Sequence, residues 1–281
     1  MEMSGNMAKK VCSMGEIGEE EQKVLMLEIL RFIDNVCRKN DIRYSLIAGS
    51  LIGAIRHKGY IPWDDDIDIV LTKDNYQKLV AILNKESGRY QTLKKGLGGE
   101  KISFTKMIDT KTVLIEGDNK MNMNYGIFVD IFCYCPTSNN EKERARHYRI
   151  VKTFVSLFGR RKLDFRNKSM KQNILRFAKN CLSKILGYRL ISRMMQKAMN
   201  KYDGTDYLFL NWPFYGFKKE VQLRKNTEEY IDVPFENMTA MVFKNYDAIL
   251  RTTFGDYMQL PPERERVGKH ELKAYWKNEQ K

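Results

Sequence analysis

The spacing of apolar residues near the start of the chain predicts an amphipathic helix. From Glu19 to Asn40, apolar residues recur every three or four positions with charged residues between them, and glutamates fill the first turn. Acidic residues in a first turn complement the positive end of the helix dipole. We therefore expect a helix whose apolar stripe, formed by Val24, Leu27, Leu30 and Ile33, packs on the core.

Short apolar runs separated by turn residues predict alternating strands and helices through the rest of the first half. Gly, Ser, Asn and Pro mark the breaks between these runs, and β-branched residues concentrate within the runs. The predicted elements are a strand at Tyr44–Ala48, a turn at Gly49–Ser50, a short helix at Leu51–Arg56, a strand at Ile67–Leu71, a helix from Thr72 to about Asn84, and strands at Tyr90–Leu93, Lys101–Ile108, Val113–Ile115 and Tyr125–Tyr134.

The second half begins with a helical block and ends in shorter pieces. Residues 141–202 have helical periodicity, Tyr246–Thr253 predicts a further helix, and Pro261–Pro262 predicts a break. Strands mixed with helices, followed by a helical block, favour an α/β or α+β fold with an additional helical part.

Composition indicates a folded protein of the reducing cytoplasm. The chain has 281 residues, 43% of them hydrophobic, and its apolar runs, such as Leu79–Leu83, are far shorter than a membrane span. No apolar signal core follows the first residues. The five cysteines show no disulfide framework, and Cys133 and Cys135 lack the second ligand pair that a zinc site needs.

The positive charge of the chain is concentrated in one segment. The formal net charge is +14, and residues 141–201 alone hold 18 Lys/Arg against three acidic residues. This basic, amphipathic segment is interpreted in two ways: a helical subdomain with a solvated cationic face, or a helix lying on an anionic membrane surface. Nucleic acid is not expected as a partner, because no nucleic-acid-binding motif is present.

The densest candidate chemistry is an acidic run before a predicted strand. Side chains alternate along a strand, so Asp66 and Asp68 are expected on one face, where their like charges call for a cation. Asp130 is the lone charge in an apolar strand and would supply a third carboxylate. Oxygen ligands of this kind suit Mg²⁺, with Mn²⁺ as the alternative. The structural alternative is an acidic loop and a separately paired core acid.

A second group of residues is suited to phosphate. Gly49 and Ser50 lie between a predicted strand and helix, where free backbone N–H groups and a hydroxyl can hold a phosphate, although Gly-Ser is also a common plain cap. Arg56, His57 and Lys58 add nitrogen donors just beyond that helix, and His57 could equally be an ordinary surface histidine.

The stretch LIAGSLIGAIRHKGYIPWDDDIDIVL resembles the signature of the LicD family of phosphotransferases, to which fukutin-type proteins are related. The resemblance extends to FVDIF and to the FGDYM and LPP segments near the end, and covers about residues 20–135 and 235–270. It departs from the family pattern at Cys133-Tyr134-Cys135, so the resemblance does not predict the pocket wall near these residues.

The resemblance implies a nucleotidyltransferase-like mixed sheet with flanking helices and a Mg²⁺-dependent transfer. A substituted phosphate, phosphocholine first and a polyol phosphate next, would move from a CDP-linked donor to a hydroxyl of a cell-surface glycan or its lipid-linked precursor, with release of CMP. By resemblance, Asp66, Asp68 and Asp130 hold the metal and Asp130 also takes the acceptor proton. Gly49, Ser50, Arg56, His57, Lys58 and Lys106 bind the donor phosphates. Trp63 is either a pocket aromatic for the base or choline, or a packing residue.

Two other functions compete with this hypothesis. One is a nucleotidyltransferase that transfers NMP from an NTP and releases pyrophosphate; the other is a non-enzymatic basic protein that binds membrane or nucleic acid.

The expected organisation is a flexible N-terminus (1–18), a catalytic core (19–140), a basic helical subdomain (141–202) and a C-terminal part that completes the catalytic domain (203–281). The expected location is the cytoplasm, peripherally at the inner face of the cell membrane.

The sequence also makes predictions for variants. Each Asp→Asn change at Asp66, Asp68 or Asp130 should lower activity by orders of magnitude, and without metal each variant should melt at or above the parent because carboxylate repulsion is relieved. Arg56→Ala should weaken catalysis at least about tenfold with little change in melting temperature, because the guanidinium is expected to contact the donor phosphates.

Overall fold

A mixed sheet organises the fold, in a computed structural model that describes residues 15–93, 104–116, 121–122, 125–158, 169–268 and 272–277. The predicted turn around Gly96 and the first residues of the strand predicted from Lys101 lie outside these ranges. The elements in chain order are β1 (Glu16–Ile17), α1 (Glu19–Lys39), β2 (Ser45–Leu46), α2 (Ala48–Ile52), β3 (Asp68–Thr72), α3 (Lys73–Leu83), β4 (Tyr90–Thr92), β5 (Thr105–Asp109), β6 (Thr112–Glu116), β7 (Met121–Asn122), β8 (Phe128–Thr137), α4 (Glu141–Phe158), α5 (Met170–Met199), β9 (Tyr207–Leu210), α6 (Phe217–Glu220), β10 (Gln222–Leu223), β11 (Tyr230–Phe235), β12 (Met238–Phe243), α7 (Tyr246–Phe254) and β13 (Leu272–Trp276).

Within the described ranges the main sheet has seven strands, and β8 lies at its centre. Strand β3 pairs parallel with one edge of β8 and is followed by the short antiparallel β2. The other edge of β8 is shared by β5 along its first half and β9 along its second half, both antiparallel. The predicted mixed α/β fold is therefore confirmed.

Helix α1 packs its apolar side under this sheet, as predicted, with one exception. The predicted residues Leu27, Leu30 and Ile33 are buried, together with Ile29, whereas Val24 is 55% exposed. The prediction for Val24 was wrong because a helical period fits two neighbouring arcs, and only the packing partner selects between them.

The two ends of the described chain meet in a smaller sheet. Strand β1 pairs with β13, which pairs with β6, and β6 with β7. Buried Ile17 and Ala274 join the same hydrophobic cluster as α1 and β3. The C-terminal residues thus complete the packing of the first half, while the division of the chain into four parts stays a prediction.

The basic segment forms two helices, α4 and α5, that differ in burial along their length. Gly187 has a left-handed backbone (φ 68°) that kinks α5 in its middle. Beyond the kink, Ile191 and Met195 are buried together with Val151 of α4 and Phe209 of the sheet. Before the kink, Ile174 and Ile185 are 63% and 80% exposed. Among the described helices, none is long and apolar enough to cross a membrane.

Candidate active site

The parallel pairing of β3 and β8 places two of the predicted carboxylates side by side. Asp68 begins β3 and is in register with Asp130 on β8. Asp66 precedes the strand by two residues, and the Asp130 N–H donates to the carbonyl of Ile67 between them (3.0 Å). The structure therefore brings Asp66, Asp68 and Asp130 to one end of the strand pair.

Electrostatics at this end disfavour several negative charges at once. Burial raises the pKa of Asp68 well above its usual range, and the neighbouring charges of Asp66 and Asp130 raise it further. Lys106 acts in the opposite direction. An acidic group in this state is suited to a cation, because a bound positive charge offsets both burial and repulsion.

The acidic run contributes more carboxylates than the sequence predicted. Carboxylate oxygens of Asp64, Asp65 and Asp66 lie within 4.8 Å of one another, a spacing that a single metal ion could bridge. Asp64 is buried, and its Oδ2 lies only 2.2 Å from the position that a Cβ on Gly49 would take. Gly49 is thus needed to make room for this carboxylate. The signal for Asp64 was present in the DDDID run, but strand alternation favoured Asp66 and Asp68.

Ser50 supports the start of β3. Its hydroxyl accepts a hydrogen bond from the Asp68 backbone N–H at 2.9 Å, and the side chain is buried. The residue before Gly49, Ala48, has a left-handed φ of 53°, so the chain turns sharply from β2 into α2. This turn brings Gly49 and Ser50 to the acidic residues; their role toward a donor phosphate stays a prediction.

Lys106, which was carried over from the family resemblance, lies within the acidic site. Strand β5 places it opposite Asp130, and its Nζ is 2.5 Å from the Asp130 Oδ1. The same ammonium lies 3.5 Å from the centre of the Phe128 ring. Asp130 therefore has a nearby buried cation, so its contribution to stability differs from that of Asp68.

The remaining predicted phosphate ligands lie on the far side of the short helix. Helix α2 continues as a π-helical turn, Gly53–His57, that ends at Lys58. Arg56 donates to the carbonyls of Tyr257 (2.7 Å) and Gln259 (3.4 Å). Neither Arg56, His57 nor Lys58 lines the cavity described next. Their role toward the donor stays a prediction.

A cavity of about 420 Å³ opens beside the carboxylates, within the size range of small-molecule sites. Gly49, the acidic residues and Lys106 form one part of its lining. Another part, the aromatic wall, includes a buried carboxylate, that of Glu220, and the Phe128 ring of this wall contacts Lys106. The aromatic side chains of this wall include Phe104, Phe128, Phe132, Trp212, Phe214 and Tyr215.

Sequence reasoning missed the part of this wall that comes from the segment between β9 and β10. Trp212, Phe214, Tyr215 and Glu220 all lie there, more than 80 residues from Asp130. The only signal was a cluster of aromatics at positions 207–217. Trp63, the aromatic considered for this purpose, instead packs near His57 and does not line the cavity.

Acids aligned across parallel strands, beside a Gly-Ser turn on a mixed sheet, define a transferase of the nucleotidyltransferase type. Residues 41–171 match the model of the family described as LicD/FKTN/FKRP, nucleotidyltransferase domain. The chain is also 32% identical over 268 residues to the lipopolysaccharide cholinephosphotransferase LicD of Haemophilus influenzae, covering 91% of this chain and 97% of that protein. The chain therefore belongs to the LicD family, and it is a phosphotransferase.

Shorter stretches of the chain match other relatives. Human ribitol 5-phosphate transferase FKRP is 34% identical over 61 residues, 22% of this chain and 12% of that protein. The uncharacterized protein RP689 of Rickettsia prowazekii is 38% identical over 63 residues, 22% of this chain and 24% of that protein. The predicted family and the predicted enzyme class are confirmed.

Proposed function

We propose that the protein transfers phosphocholine, in a metal-dependent reaction, from CDP-choline to a hydroxyl of a cell-surface glycan or its lipid-linked precursor, and releases CMP. The observation that carries the proposal is the cavity, whose lining combines carboxylates, a lysine and aromatic side chains. The near full-length similarity to a lipopolysaccharide cholinephosphotransferase supports phosphocholine over the polyol phosphates of more distant relatives.

The reaction is a substitution at the phosphorus that carries the choline. The acceptor oxygen forms a new bond to this phosphorus, and the bond from it to the bridging oxygen breaks, so CMP leaves with that oxygen. The acceptor hydroxyl loses one proton, which Asp130 would take. The products are a phosphocholine diester on the glycan and CMP, and no oxidant or reductant is needed.

Asp66, Asp68 and Asp130 would hold Mg²⁺, with Mn²⁺ as the alternative. Asp64 would add an oxygen beside Asp66, since their carboxylate oxygens lie within 4.8 Å of each other. All of these ligands are carboxylates, the donors that hard divalent ions prefer. The raised pKa of Asp68 also fits a site that needs a cation. Such an ion supplies charge stabilisation for the phosphoryl oxygens.

The chain's own cations would serve the same oxygens. Lys106 lies beside Asp130 inside the cavity, where its charge can act on a bound diphosphate. Gly49 and Ser50 would approach the diphosphate from the first turn of α2. Arg56, His57 and Lys58 would meet donor groups that extend past the cavity toward the C-terminal loop.

A donor panel tests the proposal. Purified protein is incubated with Mg²⁺, a lipopolysaccharide acceptor, and CDP-choline, CDP-ribitol or CDP-glycerol, and CMP release is measured. We expect release with CDP-choline, and none in EDTA or with Asp68→Asn. CMP release from none of the three donors, together with pyrophosphate release from CTP, would favour the nucleotidyltransferase alternative instead.

The first half of α5 supports a further part of the proposal, peripheral binding to anionic lipid on the cytoplasmic face. Met170, Ile174, Phe177 and Ile185 are all more than half exposed, on one face of the helix. The block 141–201 carries a balance of +15 around them. Each cation near an anionic surface contributes about 1 kcal/mol to the free energy of membrane binding. The exposed apolar side chains add to this electrostatic attraction.

Vesicle co-sedimentation tests this binding. We expect binding to rise with the phosphatidylglycerol fraction, to fall with salt, and to weaken in an Ile174→Glu/Ile185→Glu variant. Val24→Glu is the matched control, because Val24 is also an exposed apolar helix residue but lies outside the basic block. Equal binding to neutral and anionic vesicles would refute the electrostatic part.

A further inference from the structure

The aromatic wall of the cavity is a continuous surface of packed rings. The Phe104 ring lies 4.6 Å from that of Phe132 and 5.1 Å from that of Trp212, centre to centre. Phe132 in turn contacts Phe214 at 5.9 Å, edge to face. Phe214 is 51% exposed although it borders the cavity, so part of this surface is open to a ligand.

A buried carboxylate lies behind this surface. Glu220 is 3% exposed, and it is among the residues that line the cavity. Its Oε1 accepts the backbone N–H of Tyr215 at 2.6 Å and also that of Phe214. Its Oε2 accepts the hydroxyl of Tyr148. These contacts fix both the carboxylate and the aromatic loop, so a negative group is held in place beside the rings.

Tyr215 lines the cavity beside Glu220, whose Oε1 accepts its backbone N–H. Burial raises the pKa of Tyr215 to about 12, and the charges of Asp68, Asp66 and Glu220 add to this effect. The acidic residues and Glu220 thus border one cavity.

We infer that the ring surface of Phe104, Phe132, Trp212 and Phe214, backed by the Glu220 carboxylate, binds the quaternary ammonium head group of the donor. This inference deepens the proposed function and rests on it. A quaternary ammonium has no N–H to donate, so it is recognised by aromatic faces and by nearby negative charge. The site offers both, in the same cavity as the proposed metal ligands.

The other part of the donor that could use aromatic rings is its cytosine base. A neutral base would gain from stacking but not from the buried carboxylate, whereas a permanent cation gains from both. A ribitol or glycerol head group would instead need hydroxyl partners, and this surface is mainly carbon. The Glu220 carboxylate therefore favours the cation.

The test compares three ligands by calorimetric titration of the whole protein in Mg²⁺ without acceptor. CDP-choline carries the head group, CDP lacks it, and CDP-3,3-dimethylbutanol replaces the ammonium nitrogen with a neutral carbon of the same shape. We expect the parent to bind CDP-choline at least about tenfold more tightly than the neutral isostere, an effect within the range of a desolvated cation–π contact.

Variants test whether the ring surface and Glu220 cause the preference for CDP-choline over the neutral isostere. Glu220→Gln keeps the shape and should remove most of the preference for CDP-choline over the isostere. Trp212→Leu and the exposed Phe214→Leu should weaken CDP-choline binding at least about fivefold while leaving CDP binding unchanged. Trp276→Leu is the matched control, because Trp276 lies on β13 and does not line the cavity. Melting temperatures identify any variant that fails to fold.

Each outcome decides the question. Equal binding of CDP-choline and the neutral isostere by the parent would overturn the inference, and so would no binding of CDP-choline. Equal losses for CDP and CDP-choline in Trp212→Leu would show that the wall holds the base. Failure of the proposed function is distinguishable, because it is measured by CMP release and not by ligand preference.

Discussion

Neutralising Asp68 and neutralising Asp130 should change stability in opposite directions when no metal is present. The sequence predicted stabilisation for both, because neighbouring carboxylates repel. Asp68 fits that expectation, since Asp66 and Asp130 raise its pKa. Asp130 does not, because its Oδ1 lies 2.5 Å from the Nζ of Lys106. Both side chains are largely buried: that of Asp130 is 14% exposed and that of Lys106 is 9% exposed. Asp130→Asn would leave the buried lysine without its counter-charge.

The burial of the Asp130–Lys106 ion pair sets the expected change in the free energy of unfolding. Removing one partner of a buried ion pair costs about 3–5 kcal/mol, and an asparagine that still accepts a hydrogen bond recovers part of it. We therefore expect Asp130→Asn to lower the free energy of unfolding by about 2–3 kcal/mol, roughly 5–10 °C in melting temperature. Asp68→Asn should melt at or above the parent.

Urea and thermal unfolding in excess EDTA measure both variants. Asp232→Asn is the matched control, because it removes the charge from an exposed pair with Arg38, at 50% and 37% exposed, and should cost less than about 1 kcal/mol. The double variant Asp130→Asn/Lys106→Met should be less destabilised than the sum of its single changes, because the unpaired cation is then absent.

Metal adds an independent measurement. Mg²⁺ at 100 times its dissociation constant should stabilise the parent by about 2.7 kcal/mol, and Asp68→Asn much less. Asp130→Asn melting at or above the parent in EDTA would refute the role assigned to Lys106. Full turnover by Asp68→Asn would refute the metal site.

Three further predictions concern single side chains elsewhere in the protein. Ser50→Ala leaves the buried Asp68 N–H without its acceptor, so we expect a loss of about 1–3 kcal/mol in unfolding free energy together with lower CMP release. Arg56→Ala should lower the melting temperature, contrary to the expectation from sequence, because Arg56 donates to the carbonyl of Tyr257; an unchanged melting temperature with weaker donor binding would contradict this. Burial lowers the pKa of His147, so below about pH 6.5 the imidazole takes up a proton more readily in the unfolded state, and the free energy of unfolding falls as the pH drops. His147→Gln should reduce the difference between the unfolding free energies measured in urea at pH 5.5 and pH 7.5.

The sequence by itself determined the local elements and the chemistry of the acidic residues. Helix α1 and strands β3 and β8 were predicted within a few residues, because apolar periodicity depends only on neighbours along the chain. The acidic run and the isolated Asp130 were also visible, since carboxylates among apolar residues are costly and conspicuous. These features, with the family resemblance, were enough to predict the class of enzyme.

Tertiary structure decided the partners of those residues. Lys106 meets Asp130 because β5 pairs with β8 in one particular register, which no local pattern specifies. The same holds for the cavity wall: the segment between β9 and β10 reaches Asp68 only because β9 pairs with the second half of β8. Long-range strand pairing thus fixed both the sign of the Asp130 effect and the aromatic surface proposed to bind the donor head group.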